Sequence, residues 1–185
     1  MQWYRVSSIP VLLAVLLFGM TAILLLEAAS SRRAGLRRPV QWLYILALAV
    51  YFAVYLYLTF LSRKPSGQHR LRLMPFYGLM HLFEGGVFHL KIFREAFLNI
   101  ILYVPFGTLT LAVFHEHPHA VRITVLSAMA CTLLTEAAQY VFGMGLAETD
   151  DLIHNLLGAL MGMLGFHAVH SAGSALWDSK KSVRI

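Results

Sequence analysis

The sequence predicts an all-α fold, a polytopic membrane helix bundle with about five transmembrane helices. Three observations carry that expectation. Of 185 residues, 58% are hydrophobic and only 13% are charged, and the mean hydropathy is +0.67. Soluble domains carry about a quarter charged residues, so this chain has too little charge to cover a water-facing surface. Lipid removes that requirement. The apolar residues also gather into five runs that approach or reach the roughly 20 residues a helix needs to cross the hydrocarbon core. Finally, the excess of basic residues (net charge +6) sits between and beyond these runs. Arg32, Arg33, Arg37 and Arg38 form one cluster, Arg63, Lys64, Arg70 and Arg72 a second, and Lys180, Lys181 and Arg184 a third. Flanking positions suit anionic head groups and do not build the basic face that nucleic-acid binding needs. The length fits one membrane domain, residues 1–185.

The expected spans are residues 9–26, 40–61, 97–114, 121–142 and 152–169. The first is followed by Glu27-Ala28-Ala29-Ser30, small residues of the kind found at signal-peptide cleavage sites. Its apolar run is longer than a signal core, and four arginines follow it while only Arg5 precedes it, so a retained span is expected. An N-terminus on the outside places the arginine-rich turn at residues 30–39 in the cytoplasm, where positive charge is preferred, but leaves the basic stretch 63–94 outside. Trp42, Tyr44, Tyr51, Tyr55 and Tyr57 suit a second span with one end at head-group level. Residues 62–95 open on the turn signal Lys64-Pro65-Ser66-Gly67 and then mix basic, aromatic and histidine residues. They are too apolar for a linker and too interrupted for a span. An interfacial or partly re-entrant segment between the second and third spans is expected.

The first two spans are plain and the last three are not. Asn99 and Tyr103 share a helix face, and Pro105 and Gly107 follow, where they are expected to loosen the helix. Thr132, Glu136 and Gln139 recur at steps of four and three in the fourth span. The fifth opens with Asp150 and Asp151 and continues through His154, Asn155, Gly158 and Gly162, the two glycines forming a GxxxG step that permits close helix approach. Ionisable groups at membrane depth are costly, so they turn inward and often mark function. A polar pocket near one membrane face is expected, lined by Asn99, Tyr103, Glu136, Gln139, Asp150, Asp151, His154 and Asn155. The plainer alternative has Glu136 bonded to Asn155 or Gln139 as helix glue, with Asp150 and Asp151 simply favoured by the helix dipole.

His115, His117 and His119, with Glu116 among them, crowd the turn between the third and fourth spans. Three imidazoles can hold a divalent metal, but a short solvated turn stiffened by Pro118 explains the same residues, and no metal or other cofactor is expected. His81 and His89 are no more specific. Cys131, the only cysteine, excludes an intrachain disulfide, a zinc cluster and a CxxC redox site.

In order and spacing these motifs resemble the VanZ family, named for a teicoplanin-resistance protein of bacterial glycopeptide-resistance clusters. The resemblance runs over about residues 45–170. It rests on Leu73-Met74-Pro75-Phe76, on Asn99 with Tyr103-Val104-Pro105-Phe106-Gly107, on Glu136 and Gln139 at ExxQ spacing, and on Asp150-Asp151-Leu152-Ile153-His154-Asn155-Leu156-Leu157-Gly158 followed by Gly162. Two positions depart from it. Gly145 stands where the family usually has an arginine, and Glu148 where an aspartate is more usual. The resemblance implies a multi-pass protein of the bacterial cell membrane, linked to glycopeptide resistance or envelope biology, without a defined reaction. Expected partners are membrane lipids, with a lipid-linked cell-wall intermediate or a glycopeptide as candidate ligand of the pocket. An intramembrane enzyme using Glu136 and Asp151 as acid and base, and a structural partner of a cell-wall complex, are the competing classes.

The five-span arrangement makes a topological prediction. In a Cys131→Ser background, cysteines placed at Arg33 and His117 are labelled from the same side of the membrane, because two spans separate them. Labelling from opposite sides removes the five-span arrangement.

Overall fold

A computed structural model describes residues 19–28, 37–63, 65, 67–84 and 87–182. The elements are α1 (Gly19–Ala28), α2 (Arg37–Leu56) continued by a π-helical turn (Tyr57–Leu61), β1 (Gln68–Arg72), α3 (Tyr77–Met80), α4 (Leu90–Phe114), α5 (Ala120–Val141), β2 (Met144–Glu148) and α6 (Thr149–Ser182). Four helices are long and apolar enough to cross a membrane: Arg38–Leu61, Leu90–Phe114, Ala120–Val141 and Thr149–Ala175. They correspond to the second to fifth expected spans. Of the first, residues 9–18 lie outside the described residues, and the remainder falls in α1, which by itself is shorter than a span.

The tightest joint is between α4 and α6. A Cβ added at Gly158 would fall on the carbonyl of Ile100, one at Gly162 on the carbonyl of Val104, and one at Gly107 on the carbonyl of Ala159, each well inside van der Waals contact. The two backbones therefore touch with no side chain between them. Thr108 adds a hydroxyl bridge, lying 3.1 Å from both the Val104 and Gly162 carbonyl oxygens. Between helices in lipid there is no net hydrophobic drive, so close packing and hydrogen bonds of this kind do the joining. Gly107 thus tightens the bundle rather than loosening its helix, and α4 runs unbroken through Pro105.

Helix α2 lays one face on α4. Tyr44, Tyr51 and Tyr55 are buried at spacings of seven and four, and the rings of Tyr51, Tyr55, Phe52, Tyr103 and Phe106 form a cluster with centroids 5.3–6.4 Å apart. These tyrosines are core residues, not head-group anchors. Trp42 and Tyr57 are the ones that face outward. At the far end of the bundle Glu27, only 3% exposed, accepts hydrogen bonds from the Tyr44 hydroxyl and, at 2.5 Å, from His170 Nδ1. One carboxylate thereby ties α1 to α2 and α6.

The helical class needs one addition. β1 and β2 pair in parallel, with Gln68 opposite Met144 and Arg72 opposite Glu148. Gly143 makes this possible: its positive φ of 60° turns the chain out of α5 and into β2. A two-stranded ribbon is marginal alone. Here it is anchored by Arg72 Nη1 on Glu148 Oε2 at 3.1 Å, and His69 Nδ1 donates to the Tyr140 carbonyl at 2.6 Å. Residues 62–95 therefore hold a strand, the short helix α3 and the first residues of α4, which begins at Leu90 rather than near Phe97; the strand and α3 fold over the end of the bundle where α5 gives way to α6.

The glycine joint predicts a sharp contrast. Gly158→Ala or Gly107→Ala overpacks α4 against α6 and lowers unfolding stability by roughly 1–3 kcal/mol. Gly165→Ala, with nothing within 4 Å of the added Cβ, is neutral. Thermal unfolding in detergent followed by fluorescence-detected size exclusion reads both.

Candidate functional site

Because α6 begins directly after β2, the three acids Glu148, Asp150 and Asp151 leave the chain at the end of the bundle covered by β1 and α3. The touching backbones of α4 and α6 bring Asn99 Nδ2 to Asp151 Oδ1 at 2.6 Å. Asp150, 6% exposed, accepts the backbone N–H of Gly78 through Oδ2 at 2.7 Å, and its Oδ1 has no partner. From α5, Glu136 Oε2 accepts the Glu148 N–H at 3.0 Å, and its carboxyl group faces that of Asp151. His154 lies within the field of Asp150, with Nδ1 buried and unpartnered. Glu148, outside the spans, has its carboxyl pushed up by burial even though the Arg72 guanidinium opposite pulls it down. Arg72 in turn lies over the Tyr77 ring at 4.0 Å.

One helical turn further into the bundle is a second layer built from hydroxyls. The Tyr103 hydroxyl accepts from Thr132 Oγ1 at 2.9 Å and shares a 2.9 Å hydrogen bond with the Tyr55 hydroxyl. Tyr55 also bonds Thr135 Oγ1 at 2.7 Å, and Asn155 Nδ2 donates to Thr132 at 3.3 Å. This chain links α2, α4, α5 and α6, and it leaves Asn155 Oδ1 buried without a partner.

The eight residues singled out from the sequence thus fall in two layers. Asn99, Glu136 and Asp151 meet at the end of the bundle under β2, and Asp150, with His154 near it, turns to Gly78 at the same end, while Tyr103 and Asn155 belong to the hydroxyl layer. Gln139 is buried on α5, three residues beyond Glu136. Glu136 does not bond Asn155: its acceptor faces β2, and Asn155 turns to Thr132. Sequence reasoning missed Arg63, Arg72, Gly78 and Tyr55. The signal that points to the two arginines is charge complementarity between the basic segment 63–72 and the acidic segment 148–151.

The histidines of the α4–α5 turn do not converge. His115 Nδ1 donates to the Ala112 carbonyl at 2.7 Å, and His117 Nδ1 accepts the His119 N–H at 3.1 Å. An open groove of about 610 Å³ at that turn is lined in part by His115, His117, His119, Arg122 and His167. Among the described residues no group of three histidine, cysteine, aspartate or glutamate side chains is placed to hold a metal ion.

Four helices apolar and long enough to cross a membrane, with carboxylates, an amide and guanidinium groups gathered at one end, mark a polytopic membrane protein. Residues 42–170 match the VanZ/LLP1 family profile, and the chain belongs to that family. It is similar to Protein VanZ of Enterococcus faecium, 30% identical over 71 residues that make up 38% of this chain and 43% of that protein. The chain thus matches less than half the length of this curated relative. No solved structure matches it.

The hydroxyl layer carries its own prediction. Tyr103→Phe removes one hydroxyl from between Thr132 and Tyr55 and lowers stability by about 1 kcal/mol, the usual scale for such bonds in membranes. Denaturant titration in micelles checks it. An unchanged midpoint would remove Tyr103 from the set of residues that hold the helices together.

Proposed function

We propose that the protein is a cell-envelope component of the bacterial cell membrane whose polar mouth binds the head group of an amphiphile, a lipid or a lipid-linked envelope intermediate. Through that binding it contributes to tolerance of glycopeptides such as teicoplanin. The observation that carries the proposal is the buried, unpartnered Oδ1 of Asp150, at the end of the bundle that also holds Asn99, Asp151 and Glu136. Buried acceptors of this kind need donors, and the hydroxyl or ammonium groups of a head group supply them at a bundle end. Apolar helix faces beside the mouth suit acyl chains, and teicoplanin is itself a lipidated glycopeptide.

The same proposal includes five crossings, with α1 as the described part of the first, and residues 62–95 as an interfacial segment. An exposed ladder of Phe83, Phe88, Phe93 and Phe97, with successive ring centroids 5.5–6.0 Å apart, supports seating at the membrane surface. A second function is favoured by one feature alone. Glu136 and Asp151 face each other, and two carboxyl groups so placed can divide acid and base roles.

Glu136→Gln tests the proposal, because it keeps shape and most hydrogen bonding while removing the ionisable group. The variant is expected to accumulate at wild-type yield and to lose the protein's effect on teicoplanin susceptibility in a host where the wild type gives one. A fully active variant returns Glu136 to the role of helix glue.

A further inference from the structure

Arg63 is a guanidinium at this end of the bundle whose buried Nε–H has no acceptor in the protein. Its position is set from below. The π-helical turn Tyr57–Leu61 closes on Ser62 N–H to the Tyr57 carbonyl at 2.9 Å, the Ser62 hydroxyl donates to the Leu58 carbonyl at 3.0 Å, and Arg63 N–H donates to the Phe60 carbonyl at 3.0 Å. An extra residue in a helical turn rotates everything after it, a device common at functional sites. Here it leaves Arg63 Nη1 only 3.4 Å from where a Cβ would stand on Gly145. The Arg63 charge acts on both Glu136 and Asp151, but each of those carboxylates takes a hydrogen bond from another donor, the Glu148 N–H and Asn99. Arg72, the neighbouring guanidinium, is occupied by Glu148. Arg63 Nε is buried with no partner at all.

A buried guanidinium edge without an acceptor is an unmet demand, and its Nε–H and Nη–H fork fits the paired oxygens of a carboxylate or a phosphate, of which phosphate is the one that every phospholipid head group carries. At the same end of the bundle, Asp150 Oδ1 is an unmet acceptor in a residue 6% exposed, within a set of carboxylates that would repel a purely anionic ligand. The two demands have opposite sign. Gly145 keeps the approach to the guanidinium open, since a longer side chain there would grow into it. Arg63 also brings a guanidinium to the place where the family resemblance leads one to expect an arginine at position 145.

Resting on the head-group reading above, we propose that the mouth is a two-sided seat for an aminophosphate head group, with the phosphate on the Arg63 fork and the ammonium on Asp150 and its neighbouring carboxylates. The phosphoethanolamine head group of a phospholipid has this chemistry. Phosphatidylcholine keeps the phosphate but has no N–H, and phosphatidylglycerol keeps the phosphate but has no cation.

Native mass spectrometry of the full chain, released from micelles doped in turn with each of these three lipids, tests the seat. The wild type is expected to retain phosphatidylethanolamine at least about tenfold over the other two, the scale of a charge-assisted pair. Arg63→Gln abolishes that preference, Arg63→Lys restores part of it, and Gly145→Leu lowers it with Arg63 intact. Monodisperse elution of each variant confirms folding. Preference unchanged in Arg63→Gln overturns the role of Arg63 and leaves the head-group reading standing, provided Asp150→Asn still weakens retention. If none of these variants and neither Glu136→Gln nor Asp150→Asn alters retention of any lipid, the head-group reading falls as well. Stronger retention of phosphatidylglycerol overturns the two-sided seat. Free phosphoethanolamine competing as well as the lipid, in an Arg63-dependent way, upholds the head-group chemistry and assigns it to a soluble source.

Discussion

Backbone contact between α4 and α6 is the constraint on which the rest depends. Where Gly107, Gly158 and Gly162 replace side chains, the helix axes come close enough for a short amide such as Asn99 to reach Asp151, and for Thr108 to bridge two carbonyls. A bulkier residue at any of the three would part the helices and stretch these bonds beyond use. Packing in lipid has no hydrophobic force to recover the loss. The polar groups at the mouth and the small residues below them are two ends of one arrangement.

The parallel ribbon is the second consequence. It carries the basic link after α2 to the chain that leads into α6, so that Arg72 meets Glu148, 76 residues away in sequence, and Arg63 comes within the field of Glu136 and Asp151. Charges that look like head-group flanks in one dimension become partners in three. The ribbon also settles where Glu136 points. Its Oε2 takes the Glu148 N–H offered by β2, while the Asn155 amide donates to Thr132 instead.

The crossing helices were legible because hydropathy is a local property: the runs at residues 40–61 and 121–142 differ from α2 with its π turn and from α5 by at most a few residues. The GxxxG step was legible for the same reason, since both glycines lie on one helix. Gly107 was misjudged because its neighbour Pro105 suggests a weak helix, whereas the deciding contact is Ala159 on another. Five-residue strands that pair across three intervening helices, α3, α4 and α5, leave no periodic trace, so β1 and β2 were invisible. The buried face of α2 was misjudged because tyrosine serves equally at an interface and in a core, and only the hydroxyl partners on α4 and α5 decide which.

Glu27 gives the order of synthesis a structural meaning. Its carboxylate enters early, on α1, while one of its two donors, His170, lies 143 residues later near the end of α6. As the chain is inserted, α1 can take Tyr44 as a first partner as soon as α2 follows, but its second hydrogen bond is not made until α6 has been made and docked. The last crossing helix thus closes a circuit opened by α1, and a chain cut short within α6 exposes a half-satisfied acid at the bilayer edge, the kind of defect that membrane quality-control proteases recognise.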